Sequence, residues 1–116
     1  MEYTANLSDL NADVALMRLN NTLVGSGQFA AEFDIKSRAV RVETFKVGTA
    51  LSERAFVHVK LALLSGRSAQ IKKQLSESLL AVVQDLCEWP SGVEVQLCVE
   101  ILDIDRDSYS KTAISH

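Results

Sequence analysis

The stretch that decides the fold is residues 55–70, AFVHVKLALLSGRSAQ. Its odd positions Val57, Val59, Leu61 and Leu63 are aliphatic, and its even positions run Phe56, His58, Lys60, Ala62. A period of two makes this a strand with one apolar face and one mixed face. Gly66 ends it, Arg67 follows, and Ser68 stands where a helix N-cap belongs. From Ile71 the period lengthens: Ile71, Leu75, Leu79, Val82 and Leu86 recur every three or four residues, the stripe of an amphipathic helix. The turn sets a guanidinium beside unpaired backbone N–H groups, a corner that suits an anion because the helix dipole also favours negative charge. A solvent-facing Arg in a tight turn is the other reading of the same spacing.

Beyond the helix, Trp89-Pro90-Ser91-Gly92 forces a stop, since Pro cannot continue a helix and Gly permits the turn. Val93, Val95, Leu97, Val99 and Ile101 then alternate with Glu94, Gln96, Cys98 and Glu100, which predicts a strand. Residues 103–116 are polar apart from Tyr109 and Ile114 and read as an extended C-terminal arm. Upstream, residues 35–47 form a second strand region, with Val40, Val42 and Thr44 on one side and Arg41, Glu43 and Phe45 on the other. Residues 28–34 carry Phe29 and Phe33 and predict a packed loop or short turn. Leu10, Val14, Met17 and Val24 mark one side of an earlier helix, which Leu16, Leu19 and Leu23 widen, so burial over much of its circumference is expected. Capping residues at 6–9 start that helix and Gly25-Ser26-Gly27 ends it. Residues 1–5 make an unusually short first strand.

Set side by side, residues 1–47 and 55–102 each read strand, capped helix, break, strand. Parallel strands joined through a helix need a right-handed crossover. The expected fold class is therefore α/β (α+β): one domain over residues 1–116, a double β-α-β with a four-stranded sheet and both helices on one face. The opposite face, with Phe45, Phe56, Ala62 and Cys98, would lie open, and burial against other subunits resolves that liability.

The 116 residues suffice for one core. A formal charge of −3 and a pI near 5.3 argue against a general nucleic-acid binder. No apolar run approaches the roughly 18 residues of a membrane span, and no signal sequence is visible, so a cytoplasmic location is expected. Cys87 and Cys98 read as reduced structural thiols. His58 and His116 are too scattered for a metal cluster, and no cofactor is expected.

The run Leu63-Leu64-Ser65-Gly66-Arg67-Ser68, followed by a long amphipathic helix and a Val-rich strand, resembles the tautomerase superfamily. Within it the chain is most similar to the 5-carboxymethyl-2-hydroxymuconate delta-isomerase family. The supporting stretches are Leu19-Asn20-Asn21-Thr22-Leu23 with residues 25–29, Ile35-Lys36-Ser37-Arg38, Ala55-Phe56-Val57-His58-Val59, and the tail around Ser108-Tyr109-Ser110-Lys111.

The resemblance implies a homotrimer with sheets facing inward, active sites between neighbours, and a keto/enol proton shift on an unsaturated hydroxy dicarboxylate in aromatic-compound breakdown. In such enzymes arginines hold the substrate carboxylates. Arg67 matches one of them by motif. Lys36 stands where close relatives usually carry another, and a Lys cannot fork bidentately onto a carboxylate. Arg38, two residues on and on the same strand side, is its rival. Arg41 is a weaker candidate from the opposite side, where a salt bridge with a neighbour accounts for it. The family's base is the secondary amine of an N-terminal proline. Aligned to relatives, that proline falls roughly four residues ahead of Met1, or about 13 Å of strand. The only proline here is Pro90. Either Met1 is internal to a longer protein or the base has been lost. The chain as written is expected to turn over very slowly, its Met1 α-amino group sitting in the wrong place. The alternative is a non-catalytic trimer that binds small organic anions.

Overall fold

A computed structural model describes residues 1–116. Its elements in chain order are β1 (Glu2–Thr4), α1 (Ala12–Gly25), a single 3-10 turn (Glu32–Asp34), β2 (Val40–Val42), β3 (Arg54–Leu64), α2 (Ala69–Gln84) and β4 (Glu94–Ile104). The four strands form one mixed sheet in the order β2-β1-β3-β4. β1 is parallel to β2, β3 is parallel to β4, and β1 meets β3 antiparallel. The two-helix, four-strand β-α-β arrangement expected from the sequence is the one observed.

Strand β3 positions everything else. Ala55, Val57, Val59 and Leu63 are buried beneath the helices, joined there by Leu19 and Leu23 of α1 and Leu75, Leu79 and Val83 of α2. The period-two pattern of the sequence therefore selects the face that α1 and α2 cover. Ser68 caps α2 by accepting a hydrogen bond from the Ile71 amide at 3.2 Å. Gly66, at φ +120°, makes the bend between β3 and α2 in a conformation that L side chains rarely adopt.

Several sequence expectations need correction. The strand region at 35–47 shrinks to Val40–Val42, because its only partner is β1, which is itself three residues long. α1 is capped by Asn11, whose side chain accepts from the Val14 amide, and not by a residue at 6–9. It is not buried all round: Ala15, Leu19 and Leu23 face the core, while Val14, Met17 and Val24 are exposed. The apolar sets at 14, 17, 24 and at 15, 19, 23 lie on opposite sides of the helix, and only the position of the sheet decides which is buried. β4 runs on to Ile104, because Asp103 and Ile104 still register against Leu63 and Leu64. The polar tail thus begins at residue 105.

On the sheet's other face Phe45 stacks edge-on against Phe56, with centroids 6.3 Å apart. His58 hydrogen-bonds Glu100 at 2.8 Å, and Lys60 lies 3.7 Å from Glu2. Ala62, Leu102 and Val40 are exposed there. Both cysteines are free thiols; burial, with Asp9 and Glu88 nearby, raises the pKa of Cys87. No helix is long and apolar enough to cross a membrane.

Candidate functional site

β3 is eleven residues long and β1 only three. Glu2 pairs with His58 and Tyr3 with Val57, so continuing the register sets Met1 against Val59. The β1-side edge of β3 from Lys60 to Leu64 consequently has no strand partner. Along that bare edge lies a cleft of ≈ 560 Å³, roofed by α1 and closed by the loop after it, the 3-10 turn and the C-terminal arm.

The cleft gathers the three residues expected from the sequence, Lys36, Arg38 and Arg67. Arg67 is half-buried, neither a solvent-facing turn residue nor a guanidinium turned to the helix start. Its Nη1 donates to the Leu64 carbonyl at 3.1 Å and its Nη2 to the Gln28 carbonyl at 2.6 Å. The group lies 5.3 Å from the centre of the Phe29 ring, a cation–π distance. Its Nε is buried and has no partner. Arg67 thus ties the loop after α1 to the end of β3 and keeps its buried Nε–H unpaired. Lys36 is exposed and donates to the Asp34 carbonyl at 3.2 Å. Arg38 is exposed, and its backbone carbonyl accepts from the Met1 ammonium at 2.8 Å.

Two further side-chain cations and the chain's amino group also border the cleft, and the sequence reading missed their place in it. Lys60 is committed to Glu2, and Lys111 of the arm to Asp34. Lys111 also lies 5.7 Å from the centre of the Phe33 ring. Its hydrogen bond holds the Asp34 carboxyl below its usual value and raises Lys111 in turn. Burial lowers the pKa of the Met1 amine below 8.0; Arg38 and Lys60 act in the same direction and Glu2 opposes them. The tail motif around Tyr109 and Lys111 was the one sequence signal for the arm, but nothing local aims it at the cleft. Arg41 lies outside, paired with Glu43 at 3.2 Å, as its strand side implied.

Of the five side-chain cations around the cleft, Lys36, Arg38 and Arg67 form no ion pair with a carboxylate. Asp34, the one acidic lining residue, is neutralised by Lys111. An apolar trough with surplus positive charge, in a chain of net charge −3, is suited on electrostatic grounds to an organic anion. No cluster of His, Cys, Asp or Glu able to hold a metal is present.

Comparison with known proteins gives the arrangement a context. The family model described as 5-carboxymethyl-2-hydroxymuconate isomerase matches residues 1–116. Among solved structures, a 5-carboxymethyl-2-hydroxymuconate isomerase from Deinococcus radiodurans R1 superposes with a TM-score of 0.85 at 26% identity, over 96% of this chain and 84% of that one. FG41 malonate semialdehyde decarboxylase inhibited by 3-bromopropiolate gives 0.60 at 13% identity, covering 98% and 88%. N1, a member of the cis-3-chloroacrylic acid dehalogenase family, gives 0.58 at 19% identity, covering 96% and 80%. At those identities the last two speak to the fold alone. A search of curated protein sequences returned no match.

Proposed function

The chain belongs to the 5-carboxymethyl-2-hydroxymuconate isomerase family, and on that premise we propose that its cleft binds an unsaturated hydroxy dicarboxylate for keto/enol isomerisation in aromatic-compound catabolism. The observation that carries the reading is the set of three cleft cations without carboxylate partners, Lys36, Arg38 and Arg67. Arg67 takes one carboxylate at the β3–α2 corner through its unused Nε. Lys36 or Arg38 takes the other; the planar fork of Arg38 suits a bidentate carboxylate better than the point charge of Lys36. The apolar wall between them excludes water from the conjugated middle of the acid, where the proton moves.

The same reading assigns the base to the nitrogen of an N-terminal proline carried about four strand residues ahead of Met1, along the bare edge of β3. The second reading is a non-catalytic binder of small organic anions, supported by the same three cleft cations. It also includes a homotrimer in the cytoplasm, with the sheet face bearing Val40, Ala62 and Leu102 turned toward neighbouring subunits. The exposure of those side chains supports that assembly.

Thermal unfolding with a 2-hydroxymuconate-type dicarboxylate tests the anion site. At 100 times the dissociation constant the ligand adds ~2.7 kcal/mol of stability. For a domain of this size that raises Tm by about 10 °C. An unchanged Tm at millimolar ligand would remove the anion site from consideration.

A further inference from the structure

We propose that Asn20 is a specificity-determining residue of the cleft, recognising the neutral keto or enol oxygen of the ligand while the cations hold its carboxylates. This rests on the anion-site reading above and deepens it.

From α1 the cleft receives Leu16, Leu19, Asn20 and Leu23, so Asn20 is the one polar side chain that the helix contributes. Positions 16, 20 and 23 recur at helical spacing and share one side of α1. The Asn20 amide makes no hydrogen bond, and its Oδ1 is buried without a donor. A buried polar atom left unpaired is unfavourable, whereas a Leu of similar size would sit among Leu16, Leu19 and Leu23 without that penalty. The free protein therefore holds at this point a group that its own fold does not satisfy. The unpartnered Nε of Arg67 is a second such group in the same cleft.

The chemistry of the amide says which ligand group it fits. Carboxylates are already served by three full positive charges. A primary amide is uncharged and carries both a donor, Nδ2–H, and an acceptor, Oδ1. A ketone oxygen only accepts, while an enol hydroxyl also donates. Turning the amide half a revolution about its terminal torsion exchanges Nδ2 and Oδ1, so the same side chain pairs with either tautomer. Asn20 is thus matched to the one oxygen whose hydrogen-bonding character changes during a keto/enol interconversion. A site built to hydrogen-bond a ligand oxygen discriminates against the analogue that lacks it.

Adipate and 2-oxoadipate are dianions of equal chain length that differ by one carbonyl oxygen, and calorimetric titration of both tests the proposal without needing turnover. The wild-type chain should bind 2-oxoadipate about 3- to 10-fold tighter than adipate, the value of one neutral hydrogen bond. Asn20→Leu should abolish that preference, leave adipate affinity unchanged, and raise Tm because the unpaired amide is gone. Asn20→Ala, which carries neither donor nor acceptor and adds no charge, should also lose the preference; it decides the matter if the Leu variant does not fold. Wild-type protein without a preference, or a variant that retains it, would overturn the role of Asn20. Failure of both dianions to bind wild-type protein would instead refute the anion site itself, and this inference with it.

Discussion

Extending the first strand by a four-residue segment led by proline, with the initiator methionine removed, should raise the rate of keto/enol isomerisation. Strand β3 offers Arg54–Leu64 for pairing, and β1 uses only the half ending near Val59. In the observed antiparallel register, the fourth residue ahead of Met1 falls opposite Leu63, about 13 Å further along the edge. That brings a backbone nitrogen from the Arg38 carbonyl, where the Met1 amine is now tethered at 2.8 Å, to the end of β3 that carries Arg67. A general base acts only within roughly 2.6–3.2 Å of the proton it removes, so a displacement of about 13 Å leaves the Met1 nitrogen ineffective. A positioned base contributes about 10²–10⁴-fold. The assay follows substrate absorbance for both forms, with Tm measured in parallel. The extended chain should gain rate by that factor and melt higher, since its added residues pair with a bare strand edge. Equal activity from the Met1 form would refute the reasoning and identify another base. An extension that raises Tm without rate would keep the strand register and refute the assignment of the base.

Arg67→Ala should weaken dicarboxylate binding at least tenfold. The bonds from Arg67 to the Leu64 and Gln28 carbonyls predict a loss of stability as well. Losing two donors on a half-exposed guanidinium costs about 2 kcal/mol, a fall in Tm of roughly 8 °C in calorimetry; an unchanged Tm would mean those bonds contribute nothing. Asp34→Asn should free the arm beyond residue 105, seen as raised mobility of residues 109–113 in NMR relaxation, while Tm holds. Asp34 titrates below its usual value, so its contribution is present above pH 3.8 and is lost as pH falls through the lowered one. Lys111 titrates above 10.5, so its contribution is present below that pH and is lost as pH rises through the raised value. The wild-type arm should therefore loosen at both extremes, and an arm indifferent to pH would deny the Asp34–Lys111 contact a docking role. Light scattering should give a trimer mass, and a stable monomer at micromolar concentration would refute that assembly.

Local periodicity carried most of the fold. Residues 55–64 alternate and residues 71–86 recur at helical spacing, so β3, the Gly66 bend and α2 were legible from residue type alone, as was β4. Arg67 was legible as a site candidate because a motif fixes it to that bend. The length of β2 was not legible, since a strand extends only as far as its partner, and the partner β1 is three residues long. Nor was the buried side of α1, where two apolar stripes compete and only the sheet's position decides. The cleft is wholly a tertiary product. It exists because β3 outruns β1, and Lys111 and the Met1 amine reach it from opposite ends of the chain. Asn20 shows the division most sharply. In the sequence it is one polar residue in a helix, and only packing turns it into a buried oxygen without a donor. Periodicity reports which way a side chain points along its own element; whether its hydrogen bonds are met depends on what other elements bring to it, which no local pattern encodes.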